Sequence, residues 1–505
     1  MTMQTDVQSV LDRLKTAQQQ PLGDPRFKSL IGLEKSTFSQ SASATSGLTF
    51  YDLELGAKFL YPVLTPLRNM IPRVSGKGGI QAAWRAITGV NTTGLRFGVS
   101  SANRGGVMAV ATKDYTATYK GIGVETSVDF EAQFAGQEFD DVRALGAKTG
   151  LEALMLGEEA MILGGCTSTP LGPTPTPTLT ALTTGGTLSA QTWSVVCAAL
   201  TLDGLMNGSI AAGVQGQISR TNADLSVDTF GGGVARRSTN ATVVTTGTTS
   251  SITASVTPVS GALGYAWFWG AAGAEVLGAI TTINSVIITA IGSGTQTAAS
   301  LGANDNSANA LAFDGLIYQA LIPGSGSYVS TMASGSAGIG TPLTSDSAGG
   351  IVEIDAALKS MWDNYRLSPD TMWVNSQEAL NISRKILSGS QTAAQRFVFE
   401  SSQDLVGGGI MIRTYLNRFS MQGGSVIDIK VHPNMPAGTI LMTTRMLPYP
   451  LAGVGNVVQI RTRQDYYQIE WPLRTRKYEY GVYADEVLQN YFPPSLALIT
   501  NIGNG

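Results

Sequence analysis

Between Cys166 and Gly350 the chain almost stops using charge: its only basic residues there are Arg220, Arg236 and Arg237, whereas the flanks are charged like ordinary globular protein. Such a break marks an insertion. The block is rich in Gly, Ser, Thr and Ala, with short β-branched and aromatic runs between turn residues, which predicts a small all-β module. The host around it is then discontinuous, and its two halves must pair across the insertion.

With 505 residues the chain is expected to form two or three domains. Its hydrophobic content of 43% is ordinary, but charged residues make up only 14%, against roughly 25% in typical soluble proteins. A surface so poor in charge suits a chain largely covered by other subunits. The polar start MTMQTDVQSV lacks a basic segment followed by an apolar one, and no apolar run reaches the roughly 18 residues of a membrane span. The expectation is a chain made and kept in the cytosol, without membrane contact. A net charge of -3 argues against a protein that neutralises nucleic-acid phosphates.

Val7, Val10, Leu11 and Leu14 follow the spacing of one helical face, and the Ser/Thr-rich stretch SQSASATSG within Pro21 to Leu48 reads as an extended arm. Residues 79–90 and 108–120 predict the two strands of a long hairpin with the tip NTTGLRFGVSSANRGGV. A two-stranded ribbon buries little by itself. It is either a projecting loop of a large sheet or an arm that completes itself on another subunit. Phe139, Val142, Leu145, Leu151, Leu154, Met155, Ala160 and Met161 recur at helical intervals, predicting a helix from near Glu138 to Leu163. Its Gly146, Gly150 and Gly157 each cost about 1 kcal/mol relative to Ala, and either close packing or bending accounts for them.

GPTPTPT at 172–178 is a semi-rigid linker into the strand-like runs TWSVVCAAL, ATVVTTG, SITASV, YAWFWG and SVIITAI. Beyond the block, Ile351, Ile354, Leu358, Met361 and Trp362 predict a helical face. A second helix is expected over 376–387, with LSPDTMWVNS between them as a turn and a short buried strand. The remainder, from Gly407, is strand-rich.

The chemistry of known sites is missing from this pattern. The one histidine, His432, stands before Pro433 and reads as a loop residue, and Cys166 and Cys197 lack metal-ligand spacing and read as small buried apolar groups. VSGKGG has Ile71 where a phosphate loop needs its first glycine and Gly78 where it needs Ser or Thr. LAGVGNVV lacks the third glycine of a dinucleotide turn. In NDNSAN, Asp305, Ser307 and Asn309 alternate like calcium ligands, but Ala310 and Leu316 occupy the turn-glycine and bidentate positions, leaving a plain loop. Arg461, Arg463, Arg474, Arg476 and Lys477 interleave with Tyr466, Tyr467, Trp471 and Tyr478, a texture that fits cross-strand pairs better than single-strand binding. No enzyme activity, cofactor or metal is expected.

Taken in order, an N-terminal arm, a long hairpin, a long helix, the mixed segment IDAALKSMWDNYRLSPDTMWVNSQEALNISRKIL and a strand-rich return resemble the major capsid proteins of tailed bacteriophages, the Hong Kong 97-type fold. SPDTMWVNSQEALNIS is the most specific local match. TPVSGALGYAWFWG resembles the second and third strands of fibronectin type III or related immunoglobulin-like modules. The resemblance implies an α+β fold with an N-arm, an E-loop hairpin, a spine helix, and peripheral and axial domains, interrupted by an inserted sandwich-like all-β domain. The corresponding divisions are 1–74 for the arm and start of the core, 75–130 for the E-loop hairpin and peripheral strands, and 131–170 for the spine helix. The insert follows at 171–300, the axial domain at 301–410 and the return strands at 411–505.

The implied function is a structural shell of hexamers and pentamers that encloses double-stranded DNA without sequence-specific binding, assembled in the host cytoplasm and found in the virion. Scaffolding, portal and decoration proteins are the implied partners. Trp84, Arg85, Arg96 and Arg104 are candidate intersubunit contacts on the hairpin. One branch of the family crosslinks its shell through a hairpin lysine; the tip from Asn91 to Val107 carries only Arg96 and Arg104, so a non-covalent shell is expected. An encapsulin-type compartment shares the fold and is separated by its cargo. A surface adhesin would explain the β module, yet the start lacks an export signal.

Overall fold

A computed structural model describes residues 60–90, 101–102, 104–137, 140–388, 411–421 and 423–503. The expected helix around Val7 to Leu14, the arm up to Leu48 and most of the hairpin tip, including Arg96, lie outside the described residues.

The described chain starts with helix α1 (Pro66–Met70) and strand β1 (Arg73–Ser75), followed by the hairpin β2 (Gln81–Val90) and β3 (Val110–Thr118). Next come β4 (Lys120–Asp129), the short α2 (Phe130–Ala135) and the long α3 (Val142–Gly164). Helix α3 begins a few residues later than its apolar spacing suggests. Asp141 is its N-cap, with Oδ1 accepting from Arg143 N and Ala144 N at 3.1 Å. Such a cap satisfies two of the donors that a helix start leaves unpaired.

The glycines of α3 divide by what they face. A Cβ at Gly146 would meet the Tyr480 hydroxyl, and one at Gly150 would stand 3.0 Å from Thr126 Oγ1, so both let the helix lie close on the sheet beneath it. Gly157 has nothing within 4 Å of a Cβ. Close packing therefore accounts for two of the three.

The low-charge block holds β5 (Thr178–Leu182), β6 (Thr192–Leu200), α4 (Leu202–Met206), β7 (Gln217–Thr221), β8 (Val227–Gly231), β9 (Ala241–Val244), β10 (Ser251–Ser255), β11 (Gly264–Gly270), β12 (Val276–Thr281) and β13 (Ser285–Ile288). They build a sheet of order β13-β10-β5, a sheet of order β12-β11-β6-β9 and the separate hairpin β7-β8. Along β6 the residues alternate between two cores. Val195, Cys197 and Ala199 pack with Trp193, Trp267, Ile252 and Ile288 between the sheets, and Val196, Ala198 and Leu200 pack on the other face with Val214, Val234, Phe268 and Leu301. A strand covered on both faces reads as a continuous apolar run. That is why TWSVVCAAL shows no period-two signal.

The Pro-rich entry is not a free linker. Thr174 N donates to Arg236 O and Thr174 Oγ1 accepts from Ala199 N, both at 2.9 Å. Asp305 of the NDNSAN loop accepts from Gly172 N at 2.8 Å and from Ser307. Its carboxylate thus closes the base of the block.

The chain then forms α5 (Leu316–Leu321), β14 (Tyr328–Thr331), α6 (Val352–Tyr365), β15 (Thr371–Val374), α7 (Ser376–Ser388), β16 (Thr414–Asn417), β17 (Ser425–Val431), β18 (Ile440–Thr443), β19 (Val458–Glu470), β20 (Lys477–Asn490) and β21 (Leu496–Thr500). Helix, buried strand and helix stand where LSPDTMWVNS and its flanks predict them. Helix α6 ends at Arg366, which takes the left-handed conformation at φ 57° while its N–H returns to Trp362 O.

One sheet has the order β14-β21-β18-β15-β17-β16, the other β1-β19-β20-β4. Strands β15, β18 and β21 of the six-stranded sheet are buried on both faces. Met372, Val374, Ile440, Met442, Ala497 and Ile499 meet α6 and α7, whereas Trp373, Leu441, Leu496 and Leu498 face a central core shared with Ile162, Leu163, Phe313, Ile460 and Leu488. This core joins the long helix to both sheets. The fold of the described residues is α+β.

Candidate interaction surface

The β2-β3 ribbon touches the body only at its foot. Ala82 is buried there, Trp84 is half-buried, and the Trp84 ring stacks on Tyr115 at 5.8 Å and meets Tyr491 edge-on at 5.8 Å. Ten residues of strand extend about 33 Å. Toward the tip Ile87 is 69% exposed, Val107 90% and Met108 56%, while Val90 and Val110 are exposed as a cross-strand pair. A projecting ribbon bearing apolar residues in water is an incomplete surface.

The sequence-derived contact residues are not brought together. Trp84 points into the foot. Arg85, one residue on and on the other face, is exposed and donates to Asp114 across the ribbon at 2.6 and 2.8 Å, which holds the Asp114 carboxyl below its ordinary range. Arg104 is exposed.

What holds the ribbon's platform in place is a polar knot that sequence reasoning missed. Glu158 and Glu159, adjacent on α3, are both fully buried. Glu158 binds Arg73, Tyr466 and, at 3.1 Å, Arg68 Nε. Arg73 also donates to Asp465 and to buried Glu486 at 2.7 Å, and lies 4.5 Å over the Tyr466 ring. Burial first, and then the neighbouring Glu158 charge, push the Glu486 carboxyl up to about 7. One guanidinium therefore ties β1 to α3, β19 and β20. The adjacent acid pair in GEEA was the available signal, since two consecutive carboxylates in an apolar helix need buried partners.

His432 stands in the loop after β17, as the sequence suggests, yet its side chain is fully buried, with Nε2 against Glu159 Oε1 at 2.6 Å, while Nδ1 accepts from Asn434 N at 3.1 Å. An accepting Nδ1 places the proton on Nε2, which donates to Glu159. Glu159 also accepts from Leu67 N at 2.8 Å and Arg68 N at 2.7 Å, capping α1 from the side. Sealed on every side, the pair clamps the end of β17 to the long helix.

Of the basic and aromatic residues near the C-terminus, Arg461, Arg463, Tyr466 and Tyr467 lie on β19 and Lys477 and Tyr478 on β20, where Tyr467 stacks on Tyr483 at 5.7 Å and Arg463 pairs with Asp485 at 2.6 Å, while Trp471, Arg474 and Arg476 fall in the connection between the strands. Both cysteines are buried; burial pushes the Cys166 thiol up to about 12. Among the described residues, no helix is long and apolar enough to cross a membrane.

No family model matches the chain. No curated protein matches it either. Among solved structures it is similar to the holo-SrpI encapsulin complex from Synechococcus elongatus PCC 7942, at 9% identity over 89% of this chain and 92% of that one, TM-score 0.39. It is also similar to the capsid of the native GTA particle, at 10% identity over 92% and 99%, TM-score 0.38. The capsid of Myoviridae Phage XM1 matches at 8% over 92% and 100%, TM-score 0.35. At these values the likeness carries nothing about function by itself.

Proposed function

We propose that the chain is a structural major capsid protein that closes into an icosahedral shell of hexamers and pentamers around double-stranded DNA. The observation that carries this is the β2-β3 ribbon, whose outer half exposes Ile87, Val90, Val107, Met108 and Val110 with no intramolecular cover among the described residues. A neighbouring subunit supplies that cover. Such head-to-tail overlap repeats around a ring and closes it, and many modest contacts per subunit sum to a stable shell. Arg85 and Arg104 flank the apolar stripe as its polar rim. The shell is placed in the virion and is assembled in the host cytoplasm, with scaffolding, portal and decoration proteins as partners, and the chain carries no catalytic function.

The low-charge block is, in this proposal, an immunoglobulin-like module inserted in the host. Strands β10 and β11 are successive in the chain and lie in opposite sheets, as second and third strands of such sandwiches do, with Trp267 buried on the latter. Negative-stain microscopy of the expressed protein tests the shell. Closed particles are expected, and stable monomers at high concentration with assembly factors supplied would overturn it.

A further inference from the structure

A cleft of about 350 Å³ opens beneath the hairpin's foot, between Trp84 and Tyr115 on the ribbon, Phe313 and Gln319 around α5, and Asn490 at the end of β20. That volume suits a small ligand. Three polar atoms on lining residues are buried without a partner among the described residues: Gln319 Oε1, Asn490 Nδ2 and Trp84 Nε1. The other atom of each amide fixes its orientation. Gln319 Nε2 donates to Asp314 O at 2.9 Å and Leu488 O at 3.0 Å, so the free atom is the oxygen. Asn490 Oδ1 accepts from Phe492 N at 2.9 Å, so the free atom is the nitrogen. Gln319 and Asn490 are only 7% and 6% exposed, and amide atoms so deeply buried are costly to leave unpaired.

The cleft thus presents two donors and one acceptor beside the rings of Trp84, Tyr115 and Phe313. Its complement is a flat group with two acceptors and one donor along one edge. Thymine and uracil have two carbonyl oxygens flanking an N–H, and cytosine has a carbonyl oxygen and a ring nitrogen beside its amino group. The pairing edges of adenine and guanine each carry a single acceptor and do not complement the set. Aromatic walls suit such a flat ring. Two lysines line the same cleft. Lys113 is exposed, with Nζ 5.0 Å over the Tyr115 ring, and Lys120 spends one of its three donors on Ala310 O at 2.6 Å. The acid of the lining, Asp314, is already held by Thr167 N, Ser168 N and the Ser168 hydroxyl. The two ammonium groups are therefore left to meet an anion.

We propose that this cleft binds one pyrimidine nucleotide, its base edge on Gln319 Oε1, Asn490 Nδ2 and Trp84 Nε1 and its phosphate with Lys113 and Lys120. A net charge of -3 gives the chain no continuous phosphate track, so the site takes a single unit, either a free nucleotide or one nucleotide of a single strand. This goes beyond the shell proposal and does not depend on it.

The test is calorimetric titration of the full-length protein with thymidine monophosphate. One molecule per chain is expected to bind. N3-methylthymidine monophosphate, which lacks the N–H that Gln319 accepts, and deoxyadenosine monophosphate should each bind at least tenfold more weakly. Lys113→Gln, at an exposed position, should weaken thymidine monophosphate about threefold and leave thymidine, which has no phosphate, unchanged. Asn490→Asp replaces the free donor with an acceptor and should abolish binding; where that variant does not fold, the methylated nucleotide and Lys113→Gln decide. An eight-residue oligothymidylate that binds at least tenfold more tightly than the monophosphate supports the site with a single strand as its source, and equal affinity supports it with the free nucleotide. No saturable binding at millimolar concentration, or equal affinity for the methylated or adenine nucleotide, overturns the proposal. Closed particles that bind no nucleotide overturn the site alone, and binding by a chain that never closes overturns the shell alone.

Discussion

Glu378 offers a prediction whose size follows from its surroundings. It lies in the first turn of α7, fully buried, with Oε1 accepting from Gly438 N at 3.1 Å and Oε2 unpaired. Burial pushes its carboxyl from 4.5 up to about 7. Because the folded value lies above the unfolded one, the protonated side chain favours the native state. That contribution is whole below about pH 4.5 and is lost as pH rises through about 7. Above that window the ionised carboxylate costs about 3 kcal/mol, near two orders of magnitude in an opening equilibrium. Glu378→Gln removes the titration. An unpaired amide adds a penalty that does not vary with pH, so the ratio of variant to wild-type protection isolates the charge. Hydrogen exchange over 371–386 reads that ratio at matched pH, where intrinsic exchange rates cancel. The ratio should climb by about two orders of magnitude between pH 4.5 and 8 and then level off. A ratio that stays flat across this range would show that Glu378 does not titrate there and would refute the reasoning.

Arg73→Met leaves Glu158 and Glu486 buried without their shared counter-charge and should destabilise by about 3–5 kcal/mol; denaturant unfolding measures it, and adding Glu158→Gln should recover part of the loss. Gly157→Ala should stabilise by about 1 kcal/mol, since nothing stands within 4 Å of the new Cβ. Gly164→Ala should instead cost about 1–3 kcal/mol, because its Cβ would sit 2.7 Å from Leu202 Cβ where α4 packs on the long helix; equal melting shifts for the two variants would contradict the packing described. Mature particles boiled in detergent should run as one band near 52.9 kDa, whereas a reductant-resistant ladder would reveal covalent links between subunits.

The sequence by itself determined the local vocabulary of this protein. The period of α3, the hairpin strands, the helix of IDAALKSMWDNY with the strand and helix of SPDTMWVNSQEALNIS, and the strand runs of the low-charge block are legible because each repeats over a few neighbouring residues. So is the charge gap, which is a matter of composition. Other features escaped for want of a local signal. LALIT became β21, an inner strand of the six-stranded sheet, although a short run buried on both faces lacks alternation. GPTPTPT reads as a spacer in isolation, yet its packing is set by Arg236 and Ala199. Only the tertiary structure decided which glycines of α3 face a sheet, that His432 meets Glu159 across 273 residues, and that Arg73 joins Glu158, Asp465 and Glu486. Those pairings depend on where distant elements dock. A buried charge is stable only against the particular partner that docking provides, and no spacing within the chain encodes that meeting.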